Sequence, residues 1–372
     1  MSFAFSFSGD DIDEDDQQMG TKNVPSSLAE TAPAPSSAFP VSGKPLLPAT
    51  RHDLKQMLSA LPSKIAYGTL DVRLDSGDLV QLPRRELWDV RVQLMAEEES
   101  GGEAAAGLGS HDVKTGVYEG GFKSWESSVD LVKVLEQSKT FLASQDEAPC
   151  VIELGCGTAL PSLALFHWAT SVKTGASPRP LSIILADYNS AVLQLVTLPN
   201  LILSWALQQA VGSSLLTEAF ASVEGELELS PEVIQAFENF LTTQKVNLQF
   251  ISGGWSPDFV DLVIAATQPS QSTDTKPRMV ILGAETIYSP FALHSFTETI
   301  FSLMKHSQST GNTAEVFAAA KKLYFGVGGS LDDFVVKSQE LGAVVEQLRE
   351  ETEGVRRGVV KCYLKPRGPR LC

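Results

Sequence analysis

The chain has little of what staples or metallates a small domain. Its four cysteines in 372 residues (Cys150, Cys156, Cys362 and Cys372) form no C-x-x-C pair. A disulfide framework is therefore not expected, and a reducing compartment is the simpler reading. The five histidines (His52, His111, His167, His294 and His306) are scattered without metal-ligand spacing, so no metal is expected. Basic residues are also in deficit: 29 Lys and Arg against 45 Asp and Glu give a formal charge of −16. Such a chain is repelled by nucleic acid and anionic membranes, and is attracted to basic partners. No basic amino-terminal region precedes an apolar stretch, and no continuous run approaches 18 apolar residues, so neither an ordinary secretory signal nor a membrane span is expected.

What is present is core material, with 43% hydrophobic residues, enough for one large α/β domain with additions. Residues 1–45 stand apart. Phe3, Phe5 and Phe7 alternate with small residues, an acidic run from Asp10 to Asp16 follows, and a Pro-, Ser- and Ala-rich stretch comes next. That composition cannot offset its ordering entropy, so the segment reads as a solvated, disordered tail; the sharper alternative is a docking arm for a basic partner. Residues 46–116 read as a small amino-terminal addition ending in a flexible loop over 97–112, and residues 117–372 as the main domain.

Within the main domain, apolar periodicity predicts a helix over 128–141 and strands over 150–154, 181–186, 248–252, 279–282 and 316–319. Helices are expected over 160–168, over 191–206 with a break at Pro199, from Ser230-Pro231 to Leu241, and over 291–304. Val260–Thr267 fits strand or helix equally. Segments 343–348 and 359–364 read as a closing hairpin. Strands alternating with helices predict a mainly parallel sheet covered on both faces, and the hairpin an antiparallel edge.

The strongest local signal is Val151-Ile152-Glu153-Leu154-Gly155-Cys156-Gly157-Thr158-Ala159-Leu160-Pro161, a strand, a glycine turn and a helix start. A lone G-x-G is weak, and an ordinary tight turn competes with a ligand site. Two features separate it from a dinucleotide fingerprint: Leu160 replaces the third glycine, and the next strand-end acid, Asp187, comes 32 residues after Gly155. Glu153 would repel a pyrophosphate but not a sulfonium and an amino group, which favours S-adenosylmethionine. Asp187 can accept from both ribose hydroxyls, while Asn189 beside Tyr188 is equally a helix cap. Gly253-Gly254-Trp255 follows the third strand, and Lys123-Ser124-Trp125-Glu126 precedes the first core helix. Glu285 and Tyr288 follow the fourth strand, where the alternative is an acid capping the helix near Pro290 with Tyr288 in the core. Tyr324 to Ser330 reads as a substrate-side loop or a plain glycine turn.

The segments Y-E-G-G-F-K-S-W-E, V-I-E-L-G-C-G-T-A-L-P, A-D-Y-N-S-A-V-L-Q-L-V-T-L-P-N-L, I-S-G-G-W, G-A-E-T-I-Y and Y-F-G-V-G-G-S together resemble the eukaryotic protein-histidine N-methyltransferase family, over roughly residues 84–329. The resemblance implies an α/β fold of the seven-strand class I methyltransferase type, with helices on both faces and an antiparallel terminal edge. It implies a cofactor, S-adenosylmethionine (product S-adenosylhomocysteine), held by Lys123 through Ser127, Gly155, Asp187 to Asn189 and Gly253 to Trp255, with Ala284, which stands where the family pattern has Ser, near its rim; the glycine-turn reading adds Glu153 and Gly157. Glu285 and Tyr288 would orient the acceptor. The implied substrate is a basic protein, the large-subunit ribosomal protein numbered three, methylated at the tele nitrogen of one histidine by a monomer of the cytoplasm and nucleus. Two other readings stay open: a related protein-lysine methyltransferase, which shares the Glu-x-x-Tyr pattern, and a scaffold for ribosome assembly with this fold. The 208–244 stretch matches the family poorly.

Overall fold

The strands of the sheet are explained by their alternation. In Glu147–Leu154, the side chains of Cys150, Ile152 and Leu154 enter one hydrophobic core and Val151 enters the other. Ile184 and Ala186 likewise part from Ile183 and Leu185, and Met279 and Ile281 from Val280 and Leu282. A period of two with both faces apolar is what a sheet covered by helices on both sides requires. Ile152 lies fully buried at its centre, where truncation to Ala would cost about 2–5 kcal/mol.

The computed structural model describes residues 45–99, 120–144, 147–171, 178–268, 276–324 and 328–365. Of the loop expected over 97–112, residues 97–99 close the helix Leu87–Glu99 instead; the rest of it, the tail to residue 44 and residues 325–327 lie outside the described residues.

The strands are β1 (Thr50–His52), β2 (Lys64–Arg73), β3 (Leu79–Arg85), β4 (Glu147–Leu154), β5 (Leu181–Asp187), β6 (Glu226–Glu228), β7 (Val246–Ser252), β8 (Lys276–Ala284), β9 (Thr313–Lys321), β10 (Ala343–Glu351) and β11 (Arg357–Leu364). Eight form one sheet in the order β1-β7-β5-β4-β8-β9-β11-β10. β7, β5, β4, β8 and β9 run parallel; β11 is antiparallel to both its neighbours. This is the class I methyltransferase sheet of seven strands, extended by β1, which pairs antiparallel with β7. The order reverses at β4, so the carboxyl ends of β4, β5 and β8 open the crevice where α/β folds bind ligands.

A second sheet, β3-β2-β6, joins the amino-terminal segment to the 208–244 stretch through Lys64–Glu228, Ile65–Leu227 and Ala66–Glu226. That stretch folds as helices Ser214–Ala221 and Pro231–Thr243 around β6. Arg85, 3% exposed, ties the small sheet to the core: it donates to Leu195 O, Asp89 and Gln93, and its N–H donates to Asn200 Oδ1.

Two helical expectations change. Pro199 does not break its helix. A π-turn at Leu193–Thr197 ends just ahead of it, so Pro199 enters at the start of a fresh α segment, where its missing N–H leaves no bond unmade. The stretch from Ser190 to Gln209 is long and apolar enough to cross a membrane by composition, yet 83% of its apolar window is buried inside the fold. Val260–Thr267 is helical, within Pro257–Thr267, because Ser256 Oγ caps Phe259 N–H and Pro257 occupies the first turn.

Candidate active site

A cavity of about 320 Å³ opens at the carboxyl ends of the central strands. Its floor is the turn after β4. Gly155 and Gly157 both take left-handed backbone, with φ of +64° and +51°. A side chain at Gly157 would bring its Cβ to 3.1 Å from the carbonyl of Gly121, so the loop before the helix Glu126–Ser138 closes directly onto the turn. The turn is also pinned from beneath. Thr197 Oγ1 donates to Gly157 O (2.7 Å), Asn200 donates to Thr158 O (3.0 Å), and Cys156 N–H donates to Ala186 O (2.9 Å).

Two carboxylates flank this turn. Asp187 Oδ2 accepts from Gly157 N–H (3.0 Å), and Oδ1 accepts from Asn189 N–H (3.1 Å). Burial pushes its carboxyl up to about 6, against the opposing pull of those donors. Glu153 is 2% exposed, and Ser162 N–H donates to it (3.0 Å); burial, with the nearby Asp187 charge, raises it to about 8. Removing water from a carboxylate disfavours its charged form, so both acids are poised to ionise beside a positive ligand. Asn189 does both things the sequence allowed. It lines the cavity, and its Oδ1 caps the helix that starts at Ser190.

The opposite end is built from side chains. Glu285 accepts from the hydroxyls of Ser127 and Tyr324, one on each carboxylate oxygen. Its backbone is left-handed, φ +57°, held by a bond from its N–H to Ala319 O at 2.9 Å. Burial raises its pKa; the two hydroxyls and the Lys321 charge oppose the rise. Lys321 Nζ lies 5.5 Å from the Trp125 ring centre and 5.6 Å from that of Tyr324, a cation set between two aromatic faces. Burial and the Asp187 charge push the Tyr288 phenol up to about 12, so it stays protonated at neutral pH. The cap of the helix Pro290–Ser309 is Ser289, whose Oγ accepts from Ala292 N–H, and Glu285 is left to the cavity.

Most residues singled out from the sequence converge here: Lys123, Trp125, Glu153, Gly155, Gly157, Asp187, Tyr188, Asn189, Gly253, Trp255, Ala284, Glu285 and Tyr288 all line the cavity. Four do not. Ser124 bonds Thr158 (2.9 Å), Glu126 opens its helix, and Ser127 is buried behind Glu285. Gly254 is covered by Leu46. Sequence reasoning missed Leu46, Phe122, Thr286 and Lys321 in the lining. Lys321 was findable, since it ends β9 and strand ends face this crevice; Leu46 carried no signal, lying just beyond a stretch read as tail.

No protein-family model matches the chain. Histidine protein methyltransferase 1 of Saccharomyces cerevisiae is 32% identical over 358 residues, spanning 90% of this chain and 89% of that protein. The protein of that name from Schizosaccharomyces pombe is 32% identical over 315 residues, 82% of this chain and 83% of its own. A homologue from Bos taurus is 29% identical over 255 residues, 68% of this chain and 58% of its own. Among solved structures, an rRNA methyltransferase of Streptomyces viridochromogenes aligns over 65% of this chain and 87% of that one, at 13% identity and a TM-score of 0.34. At that distance it adds nothing to the topology.

Proposed function

The chain belongs to the histidine protein methyltransferase family, and on that premise we propose that it transfers a methyl group from S-adenosylmethionine to the tele nitrogen of one histidine in the large-subunit ribosomal protein numbered three. We propose further that it acts as a monomer, in the cytoplasm and nucleus.

The observation that carries the donor is the pocket floor, where Glu153 and Asp187 flank a glycine turn. Two buried acids whose charge is favoured only beside a cation suit a ligand bearing a sulfonium and an amino group better than a pyrophosphate. The cavity volume and the glycine backbone at its floor fit such a molecule. Each Asp187 oxygen already accepts one backbone N–H and keeps lone pairs for ribose hydroxyls. Lys123 and Trp125 would border the methionine end, and Tyr188 with Gly253 and Trp255 the base. Bound there, S-adenosylmethionine supplies an electrophilic methyl group on a positively charged sulfur.

The acceptor end then has one task, to present a neutral imidazole in the right tautomer. At pH 7 roughly three-quarters of free histidine is already neutral, whereas a lysine is neutral about once in 2,500 molecules. Positioning therefore matters more than forced deprotonation. Ser127 and Tyr324 fix the Glu285 carboxylate and leave it lone pairs for an imidazole N–H, which aims the other nitrogen at the methyl. After transfer the held N–H is the acidic one, and Glu285 is placed to receive its proton. Tyr288, protonated, packs or donates but cannot act as a base.

The formal charge of −16 supports a basic protein substrate. Mass spectrometry of ribosomal proteins from cells with and without this protein tests the reading. Loss of one histidine methyl group is expected. Loss of a lysine methyl group instead would favour the lysine alternative, and no binding of S-adenosylmethionine by calorimetry would leave only the scaffold.

A further inference from the structure

One wall of the cavity comes from a segment outside the strand–helix units that supply the rest. β1 lies along the sheet edge, pairing Thr50 with Ser252, Arg51 with Ile251 and His52 with Phe250. Just before it, Leu46 to Ala49 crosses the carboxyl end of β7. Gly254 N–H donates to Leu47 O (2.9 Å), Leu47 N–H donates to the Tyr188 hydroxyl (3.3 Å), and His52 Nε2 lies 2.7 Å from Ser252 Oγ.

The crossing leaves no room for side chains beneath it. A Cβ at Gly253 would lie 2.4 Å from Pro48 O, and one at Gly254 would lie 2.6 Å from Leu46 Cβ. Gly253 also has φ +114°, which L side chains rarely adopt. The Gly253-Gly254 pair thus has a second cause besides turning the chain: it admits a strap. Leu46, at the start of that strap, lines the cavity beside Tyr188, Gly253 and Trp255.

We propose that Leu46–Ala49 forms the outer wall of the nucleoside half of the cofactor pocket, so that docking of this strap and binding of the cofactor are one coupled equilibrium. The proposal rests on the donor reading above. The strap is held by one backbone–backbone bond, one bond to the Tyr188 hydroxyl and a three-residue edge strand, which puts it at the easily opened end of the fold's stability range. A ligand that touches Leu46 only when the strap is docked favours the docked state. By reciprocity, the docked strap raises ligand affinity by the same factor. Tyr188 carries the coupling directly, since it lines the cavity and accepts the Leu47 N–H.

The test uses the full chain with S-adenosylhomocysteine as the probe. Hydrogen exchange at Leu47, Thr50 to His52 and Gly254 should slow by roughly tenfold or more on binding. Leu46→Ala should weaken binding about 3- to 30-fold, the range for a half-buried leucine, with the melting temperature of the ligand-free protein unchanged. Gly254→Val, which forces the strap off, should weaken binding at least as much; if it does not fold, Leu46→Ala decides. A wild-type protein whose strap exchange ignores the bound probe, or a Leu46→Ala variant within about twofold of wild type, would overturn the coupling alone. A wild-type protein that binds no S-adenosylhomocysteine would overturn the donor reading and this proposal with it.

Discussion

The two ends of the pocket are built by opposite means. At the end proposed for the nucleoside, Asp187 is gripped by the backbone N–H groups of Gly157 and Asn189, which belong to the turns after two adjacent strands. At the end proposed for the acceptor, Glu285 is gripped by the side chains of Ser127 and Tyr324, 158 and 39 residues away. Backbone donors survive most substitutions around them, so damage at the nucleoside end should be graded and confined to affinity. Three side chains bonded to one another are coupled, so losing either hydroxyl should weaken the work of Glu285 and strike turnover.

The largest expected effect sharpens that contrast. Glu285→Gln should lower turnover about 10²-fold or more while leaving cofactor affinity within about twofold, the pattern of a lost positioning or acid–base group. Ser127→Ala and Tyr324→Phe should each lower turnover by about tenfold and add little once Glu285 is changed, because neighbours in one network are not additive. Single-turnover kinetics with separate binding measurements checks both. Near-normal turnover in Glu285→Gln would break the acceptor assignment. Lost cofactor affinity would move Glu285 to the other end.

Next in size is Asp187→Ala, expected to weaken cofactor binding about 10- to 150-fold through the loss of one or two charge-assisted bonds. The variant also strips Gly157 N–H of its acceptor, so part of the loss should come from the turn itself. Asp187→Asn, which keeps an acceptor, should recover some of it. Unchanged affinity in a folded Asp187→Ala would remove Asp187 from the cofactor site.

What could be read from the sequence follows the same division. Strand, glycine turn and strand-end acid lie within short windows, so Gly155, Gly157 and Asp187 declare themselves by local pattern. The helix Pro231–Thr243 likewise announces its cap at Ser230. The Ser127–Glu285–Tyr324 contact has no local mark, because only the folded sheet brings three distant segments together. Leu46 and β1 were hidden for a different reason. A strand of three residues has too few positions to show a period, and it follows a composition typical of tails. Pro199 misled because its helix-breaking cost is relieved by a π-turn that no periodicity reveals.

A smaller effect concerns pH. Glu153 and Asp187 have folded pKa values of about 8 and about 6, above their ordinary values, and Glu285 is raised as well. A raised carboxyl favours the fold while it is protonated, and that contribution is lost as pH rises through the folded value. The ligand-free protein should therefore gain stability as pH falls from about 8 toward 5, by about 2–4 °C in melting temperature, and Glu153→Gln should flatten most of that slope. Binding a cationic cofactor favours the ionised acids, so calorimetry near pH 7 should show release of up to about one proton. A melting temperature that falls over that pH range would contradict the buried-acid floor.

The smallest expected effect tests where the nucleoside end begins. Deleting residues 1–45 stops just short of Leu46, the first of the described side chains that line the cavity. The removed segment is acidic and rich in Pro and Ser, with three spaced Phe residues as its only concentrated apolar feature. Such a composition gives too little burial to offset the entropy of ordering it. Melting temperature should therefore shift by no more than about 1 °C and cofactor affinity by no more than about twofold, in contrast to Leu46→Ala one position further on. The substrate decides what remains. If the acids from Asp10 to Asp16 greet a basic protein, turnover on the proposed ribosomal-protein substrate should fall and lose its salt dependence, while turnover on a short histidine peptide stays the same. Equal turnover on both would make the tail a bystander. A clear loss of melting temperature would instead show Phe3, Phe5 and Phe7 docking on the domain, and would extend the pocket's outer wall beyond the strap.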